Sequence, residues 1–329
     1  MIVSTLKSNS QGSMLILSML ALILWGLTFW YNPNQITLYD HSEHILYNLL
    51  FAGKTTFILR QIISLVIISL GAFITNYICI SQEIVSKTNY LPAFFYLFIA
   101  FSAADNTAIE PILISNIFIL PALYFLINSY RQEQALSDFF NTGILMSVAS
   151  FFYINYVIVF PLSYVAMFIL RPFNWREWAL LTIGLFTPLY IYDGINYLVN
   201  KPILEVFNLT LEKMTHFKQP VLSEYYILFL FVIITLMIFA FFLYITKGIG
   251  GKVKTQKSKF VLIWMLFFCL TIPFLEQTTE MILLPCIVPI SILLGDYFFS
   301  IKKVKIASTL LILLIGSFLI ISLHQIGLI

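Results

Sequence analysis

Charge is what this chain has least of. Only 10% of its 329 residues are Asp, Glu, Lys or Arg, against roughly a quarter in an ordinary soluble domain, while 60% are apolar. A water-soluble globule could not cover such a core. Cysteine is scarce as well. Cys79, Cys269 and Cys286 sit inside apolar runs with no CxxC or Cys/His spacing, so they read as packing residues rather than a redox pair or zinc site. A net charge of +3, with no basic stripe among polar aromatics, gives no footprint for DNA or RNA. There is no Gly-rich phosphate loop and no nucleophile elbow.

What is there is hydrocarbon-length runs. Apolar segments of roughly 17 to 25 residues, about the length that crosses a bilayer, alternate with short charged clusters. They predict about eleven spans, beginning at 14–31, 61–80, 90–104 and 112–130. The stretch 143–170 is too long for one ordinary span, and Tyr153-Ile154-Asn155-Tyr156 splits it into two short helices. Further spans follow at 179–198, 225–245, 260–275, 281–300 and 306–323. The first run ends in Trp30-Tyr31-Asn32 without a small-residue cleavage site, so it reads as a retained helix and not a signal peptide. The expected fold is all-α: a polytopic transmembrane helical bundle forming a single integral membrane domain over 1–329.

Cationic loops stay cytoplasmic, and most of the 18 Lys and Arg fall on one side if the N-terminus is inside. That assignment gives the outer face Asp40, Glu43, Asp105, Glu110, Glu205, Glu212, Glu224, Glu276 and Glu280, with His41, His44, His216 and His324. Concentration of titratable groups on one face suits an extracytoplasmic active site. Exclusion of cations from outer loops produces the same acidic bias with no function attached.

Three outer connections could carry chemistry. In loop 32–56, Tyr39-Asp40-His41-Ser42-Glu43-His44 precedes Leu46-Tyr47-Asn48-Leu49-Leu50-Phe51, which reads as a short interfacial helix. Asp40 or Glu43 there could serve as a catalytic general base, with His44 orienting it or binding phosphate. The D-x-x-E-H spacing also suits a divalent cation, and a plain structural loop has the same composition. In the tight connection 102–111, Asp105 and Asn106 read as helix caps, with Asp105 or Glu110 facing the first loop's pocket as the functional alternative. Loop 199–224 places Ile203, Val206, Phe207 and Leu211 on one helical face, as in a helix lying on the membrane. Asp193 and Asp296, near span ends and beside Tyr, read as solvated interfacial acids, and no run of buried acids marks an ion-driven pump. Arg171-Pro172-Phe173-Asn174-Trp175-Arg176-Glu177-Trp178 reads as an interface anchor, with Trp at the headgroups and Arg toward anionic lipid. A partner-binding loop is the alternative.

Asn89-Tyr90-Leu91-Pro92-Ala93, Ile114 to Leu120, Phe139 to Gly143, Ala149 to Tyr153, the Arg-Pro-Phe-Asn-Trp-Arg-Glu-Trp string, Gly184, Pro188 and the late Leu284-Pro285 to Pro289 stretch resemble a family of integral membrane proteins from Bacteroidota, a domain of unknown function. That resemblance covers most of the chain and implies a multi-pass protein of a Gram-negative inner membrane, with no activity assigned. A looser resemblance is to C-type glycosyltransferases, which take sugars from polyprenyl-phosphate donors. There a first outer loop with membrane-surface helices carries an acidic base, and a short helical pair precedes a basic cytoplasmic turn. Residues 32–56, 143–170 and 171–188 run in that order here, although no large soluble outer domain follows the last span. This similarity implies a glycosyltransferase C-like fold with Asp40 or Glu43 as base, Asp105 and His44 as supporting groups and Arg60 as a phosphate contact. Such an enzyme would use a polyprenyl-phosphate-linked sugar at the outer leaflet for envelope glycan assembly. The alternative is a non-enzymatic scaffold or transport subunit with envelope protein partners.

Overall fold

Hydrocarbon offers backbone N–H and C=O groups no partner but each other, so a chain of this composition has to be helical. The computed structural model describes residues 5–7, 11–31, 44–51, 57–85, 88–103, 109–200, 205–215, 224–247, 252–275 and 281–325, with no strand among them. The described residues form thirteen α-helices. They are α1 (Gln11–Tyr31), α2 (Ile45–Phe51), α3 (Phe57–Ser81), α4 (Leu91–Ala103), α5 (Pro111–Asn128), α6 (Leu136–Phe152) and α7 (Phe160–Leu170). The remainder are α8 (Trp175–Leu198), α9 (Glu205–Thr215), α10 (Glu224–Lys247), α11 (Val253–Cys269), α12 (Ile287–Ser300) and α13 (Val304–Gln325). Short 3-10 turns occupy Ile154–Val159, Ile272–Phe274 and Met281–Leu283.

Every expected apolar segment has a helix at its position, and five helical segments are long and apolar enough to cross a membrane. These lie on α3, α5, α8, α10 and α11, the last running on through Phe274. This is a membrane protein. Its outward side chains fit that setting, with Phe168, Tyr190 and Phe231 exposed at 75%, 81% and 69%, which lipid tolerates and water does not. The short helix expected in the first loop is present as α2. The expected amphipathic helix of 199–224 is α9, but its buried face is Val206 and Thr210, and Leu211 is exposed. Ile203 lies outside the described residues.

At the centre, α6 packs between α5 and α8, α4 lies between α3 and α12, and α11 packs on α7. The α6–α8 crossing is set by two glycines. A Cβ on Gly143 would stand 2.6 Å from the Leu181 carbonyl, and one on Gly184 would collide with the Phe140 carbonyl. With no hydrophobic drive between helices in lipid, such backbone-to-backbone approach is a main source of association energy.

The polar break expected near Tyr153 is present. Helix α6 stops at Phe152, Tyr153 is extended (φ −140°, ψ 99°), and the chain returns through a 3-10 turn into α7. Asn116, buried on α5, braces this break: its Oδ1 accepts from Tyr156 Oη at 2.6 Å and its Nδ2 donates to the Leu284 carbonyl at 3.4 Å. One side chain thereby joins the α6–α7 hairpin to the irregular connection before α12.

Helix α3 has 25 residues, roughly 37 Å at 1.5 Å per residue, and separates two polar ends of the bundle. Its C-terminal end is tied by side chains. Lys254 Nζ donates to Gln82 Oε1 (2.8 Å), Gln82 Nε2 to Asn128 Oδ1 (3.4 Å), and Asn128 Nδ2 to Asp138 Oδ2 (3.0 Å). Arg171 does not point toward lipid as the sequence suggested. Its guanidinium turns inward, donating to the Ser129 and Gln132 carbonyls at 2.6 and 2.9 Å and pairing with Glu177 at 2.9 Å. It thus serves the Gln132 carbonyl and adds a second donor to the Ser129 carbonyl, which also accepts from Gln132 N–H, just past the end of α5. The outward cation of that string is Arg176, stacked over Trp175. Asp296 is likewise not a solvated acid: it is 14% exposed and pairs with Lys259 at 2.6 Å.

Because overpacking costs typically 1–3 kcal/mol even against movable side chains, and here the obstacle is backbone, Gly184→Leu is expected to strip most folded protein from the membrane. Gly194→Leu, where an added Cβ meets nothing within 4 Å, is expected to leave yield and melting temperature in detergent near wild type. Equal behaviour of the two variants would contradict the α6–α8 crossing.

Candidate functional site

The other polar end gathers around the N-terminus of α3. Helix α2 is amphipathic in the way a surface helix must be: Ile45 and Leu46 pack toward Phe151, Ile154 and Val206, while Leu49 and Leu50 are exposed. His44 precedes it, its carbonyl accepting from Asn48 N–H at 2.9 Å. The inward placement of α2 buries both His44 and Tyr47. The His44 ring lies 5.2 Å from the Tyr153 ring, and Tyr153 meets Tyr156 edge-on at 5.4 Å. These aromatic contacts therefore lead from His44 to the Tyr156–Asn116 bond.

Glu110 approaches from α5. It holds the N-cap position with extended backbone (φ −72°, ψ 123°), and its carboxylate makes no capping hydrogen bond to its own helix. Pro111 follows at the first helical position and has no N–H to cap. The side chain is nonetheless 1% exposed, so this carboxylate is committed to the interior. Arg60 lies in the first turn of α3, where a cation opposes the helix dipole and a nearby carboxylate offsets that opposition. Next to it, the carbonyl of buried Gln61 accepts from Trp25 Nε1 at 3.2 Å, which fastens α1 to the same end.

The Tyr47 phenol senses both charges. Burial pushes its pKa from 10.0 up to about 12, the Glu110 carboxylate pushes in the same direction and the Arg60 guanidinium opposes it. Tyr47 therefore stays a hydrogen-bond donor at any physiological pH, within electrostatic reach of both side chains. His44, Arg60 and Glu110, selected from the sequence, are thus brought to one end of the bundle around a residue the sequence did not select. Asp40, Glu43 and Asp105, the remaining candidates, lie outside the described residues, as do His41 and Asn106. The cap position that the sequence gave to Asp105 or Asn106 belongs to Glu110.

Tyr47, Gln61, Tyr153, Tyr156 and Asn116 were missed as site residues. Tyr47 had a usable signal, since it follows His44 by three residues and shares its helical face. The others come together only through tertiary contacts. Among the described residues no three His, Cys, Asp or Glu side chains gather as a metal centre would require.

A family of unknown function (DUF6427) matches residues 35–328. The chain belongs to this family. No curated protein and no solved structure matches it. The DUF6427 match covers every helix described from α2 onward, so both polar ends of the bundle fall within it.

A titration tests the site's electrostatics in this DUF6427 member. The phenolate absorbance lost on Tyr47→Phe should titrate near pH 12. In a Glu110→Gln background its midpoint should fall, and in Arg60→Gln it should rise. Since the folded pKa exceeds the unfolded one, Tyr47's contribution to stability is intact below pH 10 and is lost as pH rises toward 12. A midpoint near 10 that ignores both variants would break the proposed grouping.

Proposed function

We propose that the protein is a membrane enzyme of glycosyltransferase C-like type, with its N-terminus in the cytoplasm of a Gram-negative cell. It acts at the outer leaflet of the inner membrane on a polyprenyl-phosphate-linked sugar or related envelope precursor. The observation that carries this reading is the shared electrostatic neighbourhood of Arg60 and Glu110 at Tyr47, beside the buried His44. A guanidinium suits a lipid-linked phosphate because its fork donates two hydrogen bonds at once. Tyr47 adds a neutral donor, and His44 a group able to bind phosphate or orient a base. Asp40 and Glu43 precede His44 in the chain and are the proposed bases, drawing a proton from the acceptor hydroxyl as it attacks the anomeric carbon and the lipid phosphate leaves. Asp105 is proposed as a supporting group. The carboxylates of this loop would also hold a divalent cation if the reaction uses one.

The test replaces Asp40 by Asn, Glu43 by Gln, Glu110 by Gln and Arg60 by Gln, one at a time, and compares envelope glycans with protein abundance. Loss of one charged contact that is made in the transition state should cost on the order of a hundredfold in product. An enzyme predicts that the base variant and Arg60→Gln lose glycan at normal abundance. Unchanged glycans in all four variants would replace this reading by that of a scaffold or transport subunit in an envelope assembly.

A further inference from the structure

At the opposite end of the bundle, beyond the C-terminus of α3, three cations find a carboxylate among the described residues: Lys252 on Glu83, Lys259 on Asp296 and Arg171 on Glu177. Arg131 and Lys257 pair with none of the described acids. They meet instead on one aromatic ring. Arg131 Cζ and Lys257 Nζ each lie 5.3 Å from the centroid of Tyr130, so the two charges can be no farther apart than twice that distance. Lys257 also donates to the Leu170 carbonyl at 3.4 Å, which engages one of the three N–H groups of its ammonium.

The backbone is arranged to bring these cations together. Arg131 follows the end of α5 in the left-handed region, at φ 61°, a conformation that strains a residue with a Cβ and that glycine takes freely. The turn is fixed from both sides of it, because Arg171 Nη1 donates to the Ser129 and Gln132 carbonyls and Gln132 N–H to that of Ser129. The chain thus accepts backbone strain at a residue whose guanidinium ends over Tyr130, where a second positive charge arrives from α11. A ring face attracts each cation but leaves their mutual repulsion in place; an anion that touches both relieves it. Apolar side chains adjoin the pair. Phe260, one turn along α11 from Lys257, is 43% exposed, and Phe168, two residues before Leu170, is 75% exposed. Such a setting suits a phosphate that carries hydrocarbon better than a free ion.

We propose that Arg131 and Lys257 bind the headgroup phosphate of an anionic glycerophospholipid in the leaflet at this end of α3. The guanidinium fork bonds two phosphate oxygens at once, the ammonium bonds a third, and the acyl chains lie against Phe168 and Phe260. A headgroup held by both residues ties the turn after α5 to α11. This lipid is separate from the substrate lipid, whose phosphate belongs at Arg60, near the other end of a 25-residue helix.

Native mass spectrometry of the purified full-length protein tests this, with phosphatidylglycerol or phosphatidylcholine added at equal concentration, each with and without inorganic phosphate. Phosphatidylglycerol should be retained in preference to phosphatidylcholine. Lys257→Gln and Arg131→Gly should each lower its retention about fivefold, the effect of one cation near an anionic headgroup, and leave phosphatidylcholine unchanged. Because glycine suits φ 61°, Arg131→Gly should melt near the wild-type temperature; Lys257→Gln decides the question if it does not. Lys303→Gln removes the same charge from an exposed position at this end and should retain phosphatidylglycerol as wild type does. Unchanged retention in Lys257→Gln overturns the proposal. An equal drop in all three variants overturns it too, since the preference would then belong to diffuse surface charge. Displacement of phosphatidylglycerol by an equal concentration of inorganic phosphate would overturn the lipid as the occupant.

Discussion

Hydrocarbon cannot hydrogen-bond, and the rest of this structure follows from that constraint. Each residue within lipid must satisfy its own backbone groups, so the described apolar segments are almost entirely helical, and an interruption calls for a side chain to make good the loss. Arg171 does so at the end of α5, closing the Ser129 and Gln132 carbonyls while Glu177 balances its charge. Asn116 does so where α6 breaks and α12 has yet to begin, serving the Tyr156 hydroxyl and the Leu284 carbonyl together. Several of the polar residues of the interior serve places where helices end or break.

The same constraint makes the two ends of α3 different. At its C-terminal end several ionic groups are spent on one another or on carbonyls: Lys254 on Gln82, Lys252 on Glu83, Arg171 on Glu177. Charge in these pairs is structural, and it ties the ends of several helices to one another. At the N-terminal end Glu110 holds a cap position without capping, and Arg60 stands at the unfavourable end of its helix. Neither placement is what helix stability alone would select. Arrangements that give up local stability to hold a carboxylate, a guanidinium, an imidazole and a phenol at one end of a bundle are characteristic of sites that bind or transform something.

Much of the fold was legible in the sequence because the signal for a lipid-embedded helix is long and redundant. The helices α1, α3, α5 and α10 could be marked from apolar run length alone, and the break at Tyr153 from a polar tetrad within a run too long for one span. The site was legible in part. His44 and Glu110 could be selected because acids and imidazoles stand out in so apolar a chain, but their neighbours Tyr47 and Tyr153 are the amphipathic residues of any membrane interface. Arg171 was misread for a related reason. An Arg between Pro and Trp at a span end has the pattern of a headgroup anchor, and only the approach of the α5 terminus from 39 residues away in sequence turns it inward.

The central claim is that the Tyr47 group and the Lys254–Arg171 network face opposite sides of one membrane. Single cysteines at Leu49 and Lys303, both exposed, placed in a background lacking Cys79, Cys269 and Cys286, test it with a membrane-impermeant maleimide on intact spheroplasts. Labelling at position 49 without permeabilisation, and at 303 only after it, is the predicted result. Labelling of both from the same side would contradict the account.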